Sequence, residues 1–216
     1  MEIIQFFIDL LQDPRSFIAE WISSLGPLGA YGPIFLIIFI ETGVVIMPFL
    51  PGDSLLFTAG FFAADGQGLN LAILLPVVWV AAIVGDQCNY WIGREFGRRI
   101  IDSGRVKSMT PERIEKTEAM LDKYGPLAIF LGRFFPFIRT FVPFFAGMGR
   151  MHYRKFFLFN VLGGIVWSSV FTLLGYFFGG IPVVQEHFEL VIVAIVLISL
   201  IPAVGGVLKA KFGKKR

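Results

Sequence analysis

The chain of 216 residues has one cysteine, two histidines and few charges: Asp, Glu, Lys and Arg make up 16% of it. Each scarcity removes a class of function. A lone cysteine, Cys88, has no partner for an internal disulfide, and on an apolar stretch it reads as a small packing residue. His152 and His187 stand in separate segments, and neither HExxH, cysteine-rich metal spacing nor GxxxxGK[ST] occurs. The Ser, His and Asp order of a hydrolase is missing too. A histidine-using lipid phosphatase would need a histidine beside deep arginines, and His152 lies well past Arg139. No enzyme, metal or cofactor is therefore expected. The first residues carry Glu2, Asp9 and Asp13 rather than a basic start with a small-residue cleavage site, so no cleavable secretory signal is expected either.

What replaces charge is apolar length. The chain is 56% hydrophobic with a mean hydropathy of +0.73, against about 45–50% apolar in soluble domains. Phe156 to Gly180 is a run of 25 uncharged residues, and Leu190 to Leu208 adds 19 more. About 20 helical residues cross a hydrocarbon core of about 30 Å, so the chain reads as a multi-pass membrane protein. Of its 19 Lys and Arg, eight fall in 94–124, three in 150–155 and five in 209–216. The positive-inside rule places those segments, and hence the C-terminus, in the cytoplasm. The basic tail 209–216 suits anionic lipid, and the pI near 9.1 requires no nucleic-acid partner.

The spacing predicts an N-terminal amphipathic segment at 1–26. Within it Asp13 caps a helix begun by Pro14, Phe17, Ile18, Trp21, Ile22 and Leu25 form one face, and Gly26 stops it. The segment lies at the interface or docks on the bundle. A single membrane transport domain follows at 27–208. In its first half, about 30–93, Ile34 to Ala64 is apolar apart from Glu41 and Asp53 and is broken at Pro48 to Asp53, and Leu69 to Gly93 carries Asp86 and is interrupted at Pro76. A cytoplasmic connecting helix is expected in 94–124, with Thr110-Pro111-Glu112 as its start and Gly125 as its stop. The second half runs from about 125 to 180, and a last transmembrane helix covers 188–208.

The rest is organised around Gly132 to Gly147, where Arg133 and Arg139 stand among six phenylalanines and two prolines with no acid nearby. Charge at membrane depth is expensive unless it faces protein or a wet cavity. Pro136 and Pro143 are expected to interrupt the helical ladder, and broken backbone survives there only where its polar groups are satisfied. The stretch lies between two basic segments that both belong inside, so it reads as a re-entrant hairpin. Arms of about ten residues reach about 15 Å, half the hydrocarbon thickness. P-F-L-P-G-D-S-L-L-F-T-A-G at 48–60 resembles P-F-I-R-T-F-V-P-F-F-A-G at 136–147, and each precedes a span with a polar residue beside small ones. The fold class expected is thus an all-α polytopic membrane protein: an inverted repeat with two opposed re-entrant hairpins plus transmembrane helices. G-Y-F-F-G at 175–179 has the spacing of close helix packing, within the chain rather than between copies, although the state stays open between monomer and homodimer.

These motifs resemble the DedA family, part of the VTT-domain or SNARE-associated Golgi protein superfamily that includes eukaryotic lipid scramblases. The resemblance rests on Glu41, Pro51-Gly52-Asp53, Gly85-Asp86 with Tyr90 and Gly93, Arg133, Pro136, Arg139, Pro143 with Ala146-Gly147, and Asn160, Gly163 and Trp167, over about residues 30–180. It implies opposed hairpins and lipid translocation. For a bacterial member it implies movement of undecaprenyl phosphate or a phospholipid across the cytoplasmic membrane, coupled to proton-motive force. It also implies that Glu41, Asp53, Arg133 and Arg139 are essential.

The residues themselves converge on those four. Charges at a helix centre cost about 2.5–3.5 kcal/mol each on insertion scales, so four or five unpaired groups would cost roughly 10–17 kcal/mol, comparable with a domain's whole stability. They must neutralise one another or serve a ligand. Arg133 and Arg139 suit a phosphate because the guanidinium fork binds oxygens bidentately and stays charged. Glu41 and Asp53 would be counter-ions when the site is empty and proton acceptors when phosphate displaces them. Asp86 reads equally well as a supporting partner or a packing residue. Tyr90, Asn160 and Trp167 read as structural, the ring residues at the membrane interface and the amide between helices. The partners expected are lipid headgroups and protons. Three rival readings are a phospholipid flippase or scramblase, a proton-coupled transporter of a small anion or ion, and a purely structural ion-pair cluster.

Overall fold

The computed structural model describes residues 9–10, 13–43, 52–64, 68–97, 99, 125–179, 181–187, 190–191 and 194. The first piece of the N-terminal segment, the turn at Pro48 to Pro51, the connecting helix with its Thr110-Pro111-Glu112 start, nearly all of the last transmembrane helix 188–208, and the basic tail 209–216 lie outside the described residues. Within them every regular element is a helix: α1 Pro14–Gly29, α2 Tyr31–Gly43, α3 Gly52–Ala64, α4 Leu71–Ile92, α5 Pro136–Met148, α6 Tyr153–Gly179 and the short α7 Pro182–Glu186. Residues 125–132 are also helical and lead through a turn into α5.

The start of α1 follows the sequence: Asp13 accepts the Ser16 amide at 3.0 Å and Pro14 opens the helix. Gly26 adopts φ 73°, a left-handed conformation that breaks the helix, and Pro27 begins one more turn. α1 and α2 then meet at 105°. Ile18 is buried, Phe17, Trp21 and Ile22 pack on the core, and the Arg15 guanidinium lies 5.1 Å from the Phe61 ring centre. α1 is therefore docked on the bundle. Leu25, expected on the apolar face, is exposed, because the break at Gly26 turns the chain away one residue later.

Among the described residues, two helices have the length and apolarity of spans, Leu71–Gly97 and Tyr153–Gly179, each of 27 residues. At 1.5 Å per residue each is about 40 Å long. By contrast α2, α3 and α5 have 13 residues each, about 20 Å, short of a hydrocarbon core. α3 is apolar around most of its circumference and sits accordingly, with every residue from Gly52 to Phe62 buried. α4 and α6 keep one face outward, including Val80, Val84, Leu162, Val166 and Val170.

Two prolines behave differently from the expectation. α4 runs without a break through Pro76, and α5 through Pro143. Each removes one ladder hydrogen bond but leaves the helix continuous, and Pro76 lies near the start of its helix, where the loss matters least. Of the two prolines in Gly132 to Gly147, it is Pro136 that stands at a break, as the first residue of α5 after the turn at 133–135.

Two of the short helices, α3 and α5, each make a backbone-to-backbone approach to a long helix, and the two follow one pattern. A Cβ on Gly60 of α3 would strike the Thr172 carbonyl of α6 and crowd the Tyr176 amide, while one on Gly175 would strike the Phe57 carbonyl. A Cβ on Gly147 of α5 would strike the Tyr90 carbonyl of α4 and crowd the Arg94 amide, while one on Gly93 would strike the Phe144 carbonyl. In both, a glycine three residues after a phenylalanine meets a glycine three residues after its neighbour. At Gly93 α4 passes into a π-turn, Gly93–Gly97, where α5 crosses it. The 175–179 glycines are thus consumed by packing within the chain, Gly175 on Phe57 and Gly179 on Phe61.

Candidate functional site

The buried charges form two centres. In the first, Arg139 of α5 donates through Nη2 to Glu41 Oε1 at the end of α2 and through Nη1 to Asp53 Oδ1 in the first turn of α3, the latter at 2.7 Å. Glu41 Oε1 also accepts the Gly52 amide at 3.1 Å, which holds the end of α2 against the start of α3. A Cβ at residue 52 would occupy the Glu41 carboxylate's own space, so any larger residue there must displace that carboxylate. Trp167 of α6 completes the centre: its Nε1–H donates to the same Asp53 oxygen at 3.0 Å, and the guanidinium carbon lies 5.0 Å from its ring centre. Arg139 is thus held by two carboxylates and an aromatic face at once.

In the second centre, Arg133 donates through Nη2 to Asp86 Oδ2 of α4, to Asn160 Oδ1 of α6 and, at 3.4 Å, to the Ala82 carbonyl. Asn160 in turn donates to the Ile83 carbonyl at 3.1 Å. Gly163 and Gly164 clear the space that the Arg133 side chain fills. All five charged groups are buried, from Glu41 at 0% to Asp53 at 7% exposed. Glu41 Oε2 and the Nε atoms of both arginines have no hydrogen-bond partner among the described residues.

The four charges expected to form one cluster are therefore divided. Glu41, Asp53 and Arg139 come together as the sequence suggests. Arg133 does not face those acids; its carboxylate is Asp86, because the turn at 133–135 places it between the two long helices. Asn160 bridges helices as expected. Tyr90 and Trp167 present no ring to the surface: both are fully buried, Trp167 in the first centre and Tyr90 beneath the turn at Met151. Pro51 and the Pro136 side chain lie outside the described features.

Asn89 is a site residue that sequence reasoning missed. It is buried, and its Nδ2 donates to the Thr42 carbonyl at 3.2 Å and to the Thr140 carbonyl at 2.7 Å, tying the ends that carry Glu41 and Arg139. Its signal was spacing: Asp86, Asn89 and Tyr90 fall on one face of a helix, three and four residues apart. No group of three or more His, Cys, Asp or Glu able to hold a metal occurs among the described residues.

The VTT domain profile matches residues 50–177, a stretch that contains Asp53, Asp86, Arg133, Arg139, Asn160 and Trp167. The chain is 43% identical over 212 residues to Protein DedA of Escherichia coli, covering 98% of this chain and 96% of that protein. The chain belongs to the DedA family of VTT-domain membrane proteins. An uncharacterized membrane protein of Mycobacterium tuberculosis is 40% identical over 185 residues, 83% of this chain and 81% of its own. Inner membrane protein YghB of Escherichia coli is 32% identical over 182 residues, 84% of this chain and 83% of its own. No solved structure matches the chain. With the two long apolar helices, these likenesses make this DedA-family chain a membrane protein.

Proposed function

We propose that this DedA-family protein is a transporter, not an enzyme, that carries a phosphate-bearing lipid of the undecaprenyl phosphate type between leaflets of a bacterial cytoplasmic membrane. Arg139 is the phosphate ligand, with Glu41 and Asp53 as counter-ions and proton acceptors, and Arg133 supports it. The observation that carries this reading is the imbalance of the first centre: two buried carboxylates share one guanidinium. Fully ionised, that group holds one negative charge in excess at membrane depth, where a charge costs at least about 2.5–3.5 kcal/mol. A proton on either acid removes the excess. An anionic headgroup that takes Arg139 frees both acids, and proton uptake then keeps the site near neutral. Phosphate arrival and proton binding are thereby linked through one side chain.

The paired glycine contacts support a further part of the reading, two inverted halves. α3 packs on α6 as α5 packs on α4, and α2–α3 and 125–148 are re-entrant hairpins entering from opposite faces. The C-terminus is cytoplasmic by the placement of the basic segments.

Leaflet-resolved transport in proteoliposomes tests the function, with labelled lipid phosphate and with or without an imposed pH gradient. Gradient-dependent movement of lipid phosphate supports it. Equal movement with and without the gradient identifies a passive scramblase and removes the proton link. Flux of free phosphate without lipid movement makes the cargo a small anion, and phosphate release from the lipid would make the protein a phosphatase.

A further inference from the structure

A second constellation, outside both charge centres, gathers at the end of α4. Tyr90 is fully buried; its hydroxyl donates to the Met151 carbonyl at 2.7 Å and accepts from Arg94 Nη1 at 3.0 Å. The Arg94 guanidinium carbon lies 5.4 Å from the Trp91 ring centre. Trp91 and Tyr153 rings are 5.7 Å apart and Tyr153 and Phe157 rings 6.0 Å apart, and all three residues are exposed on one side. The turn that brings Met151 onto Tyr90 has Arg150 at φ 52°, and Arg150, His152 and Arg154 are exposed beside it. Among the described residues the acid nearest in sequence is Glu95, which is paired with Arg99 at 3.8 Å.

We propose that Arg94, fixed by Tyr90 and Trp91 and flanked by Arg150 and Arg154, binds the phosphate of a net-negative membrane lipid at the edge of the bilayer. Three features point there. A hydroxyl and an aromatic face hold the guanidinium through one nitrogen, so its remaining N–H groups are oriented before a ligand arrives. Exposed Trp, Tyr and Phe rings together occupy the level of the headgroups in membrane proteins. Among the described residues arginine exceeds acid here, which selects a lipid with net negative charge over a zwitterionic one. Arg94 follows Asp86 by eight residues on the same helix, about 12 Å along the axis. The site is therefore separate from the deep centres, and it requires only that the domain sit in a membrane.

The test uses the full chain in nanodiscs of phosphatidylcholine with a minor share of phosphatidylglycerol. Lipids retained after extraction are counted by native mass spectrometry, which requires no flux and so is blind to failure of the transport reading. The wild type should retain phosphatidylglycerol preferentially. Arg94→Gln should lower that preference roughly fivefold, the effect of one basic residue near a charged headgroup. Tyr90→Phe, which keeps the ring stack and releases Arg94, should lower it in the same direction. If Arg94→Gln does not fold, Arg94→Lys keeps the charge without the fork and should fall between the two. Wild-type preference in both Arg94→Gln and Tyr90→Phe overturns the proposal, as does no preference in the wild type. Preference lost in Arg139→Gln but kept in Arg94→Gln places the lipid in the deep centre and overturns it as well.

Discussion

Arg133 and Arg139 are six residues apart on one segment, buried alike, yet they are held in opposite ways. Arg133 has one carboxylate, one amide and one carbonyl, from the two long helices. Its charge is balanced one to one, and its partners stand on elements with the most turns to keep them still. Arg139 has two carboxylates, both from the short α2 and α3, and an aromatic face. Its charge is overbalanced, and its partners stand on helices too short to cross the membrane. In the proposed function the difference divides the labour: Arg133 pins the turn between residues 132 and 136, and Arg139 exchanges its partners.

The comparison breaks most visibly on stability. Asp86→Leu leaves the Arg133 guanidinium buried without a counter-ion, which costs about 3–5 kcal/mol when one partner of a buried pair is removed. Thermal unfolding in detergent should show a loss of that size. The double variant Arg133→Leu with Asp86→Leu should recover most of it, because a buried pair replaced by apolar groups of similar size is close to neutral. A single Asp86→Leu variant as stable as the wild type would end the idea of a pin.

On the other side of the comparison, Arg139→Lys should fold normally and fail in transport. Lysine keeps the charge that the two acids need but lacks the planar fork. Loss of one or two charge-assisted hydrogen bonds to the headgroup predicts a drop of roughly 10–100-fold in lipid movement. Wild-type transport with lysine would return Arg139 to a charge-balancing role.

Third in size are the two glycine crossings. Gly60→Ala and Gly147→Ala each push a methyl into a carbonyl of the facing helix, an overpacking cost of about 1–3 kcal/mol. If the halves are equivalent, the two losses should agree within the error of the melting curves. A large loss at one and none at the other would argue that the matched contacts are coincidental.

Much of the site is legible in the sequence because charge in an apolar chain is conspicuous. Glu41, Asp53, Arg133 and Arg139 stand out by depth cost alone, and Asp13-Pro14 and Gly26 mark a helix by local chemistry that tertiary packing does not override. Pairing is not legible. Whether Arg133 reaches Asp53 or Asp86 depends on a turn of three residues that rotates the side chain between α4 and α6, and no spacing rule encodes that rotation. Prolines mislead in a similar way: Pro143 and Pro136 look equivalent in sequence, but only the latter has a preceding turn to end a helix. Residue type alone points Tyr90 and Trp167 to the interface, whereas each has its polar atom satisfied internally, by Met151 and Asp53.

The smallest effect expected is at Asn89, and it bears most directly on how the exchangeable centre works. Its amide satisfies the Thr42 carbonyl, one of the last four of α2, which have no partner within the helix, and it also holds the Thr140 carbonyl. Its own Oδ1 is buried without a partner among the described residues. Asn89→Leu removes two neutral hydrogen bonds, worth about 1 kcal/mol each, but also removes that unsatisfied oxygen and fills the same volume. Net stability should therefore fall by only about 1 kcal/mol. The residue links the end of α2 beside Glu41 to α5 beside Arg139, so releasing it lowers the cost of separating acid from arginine. If that separation limits the rate, lipid movement should rise up to about fivefold, the rate equivalent of about 1 kcal/mol. Unchanged transport with the expected small loss of stability would mean that α2 and α5 do not part during the cycle, and the carboxylates would then have to leave Arg139 by side-chain rotation alone.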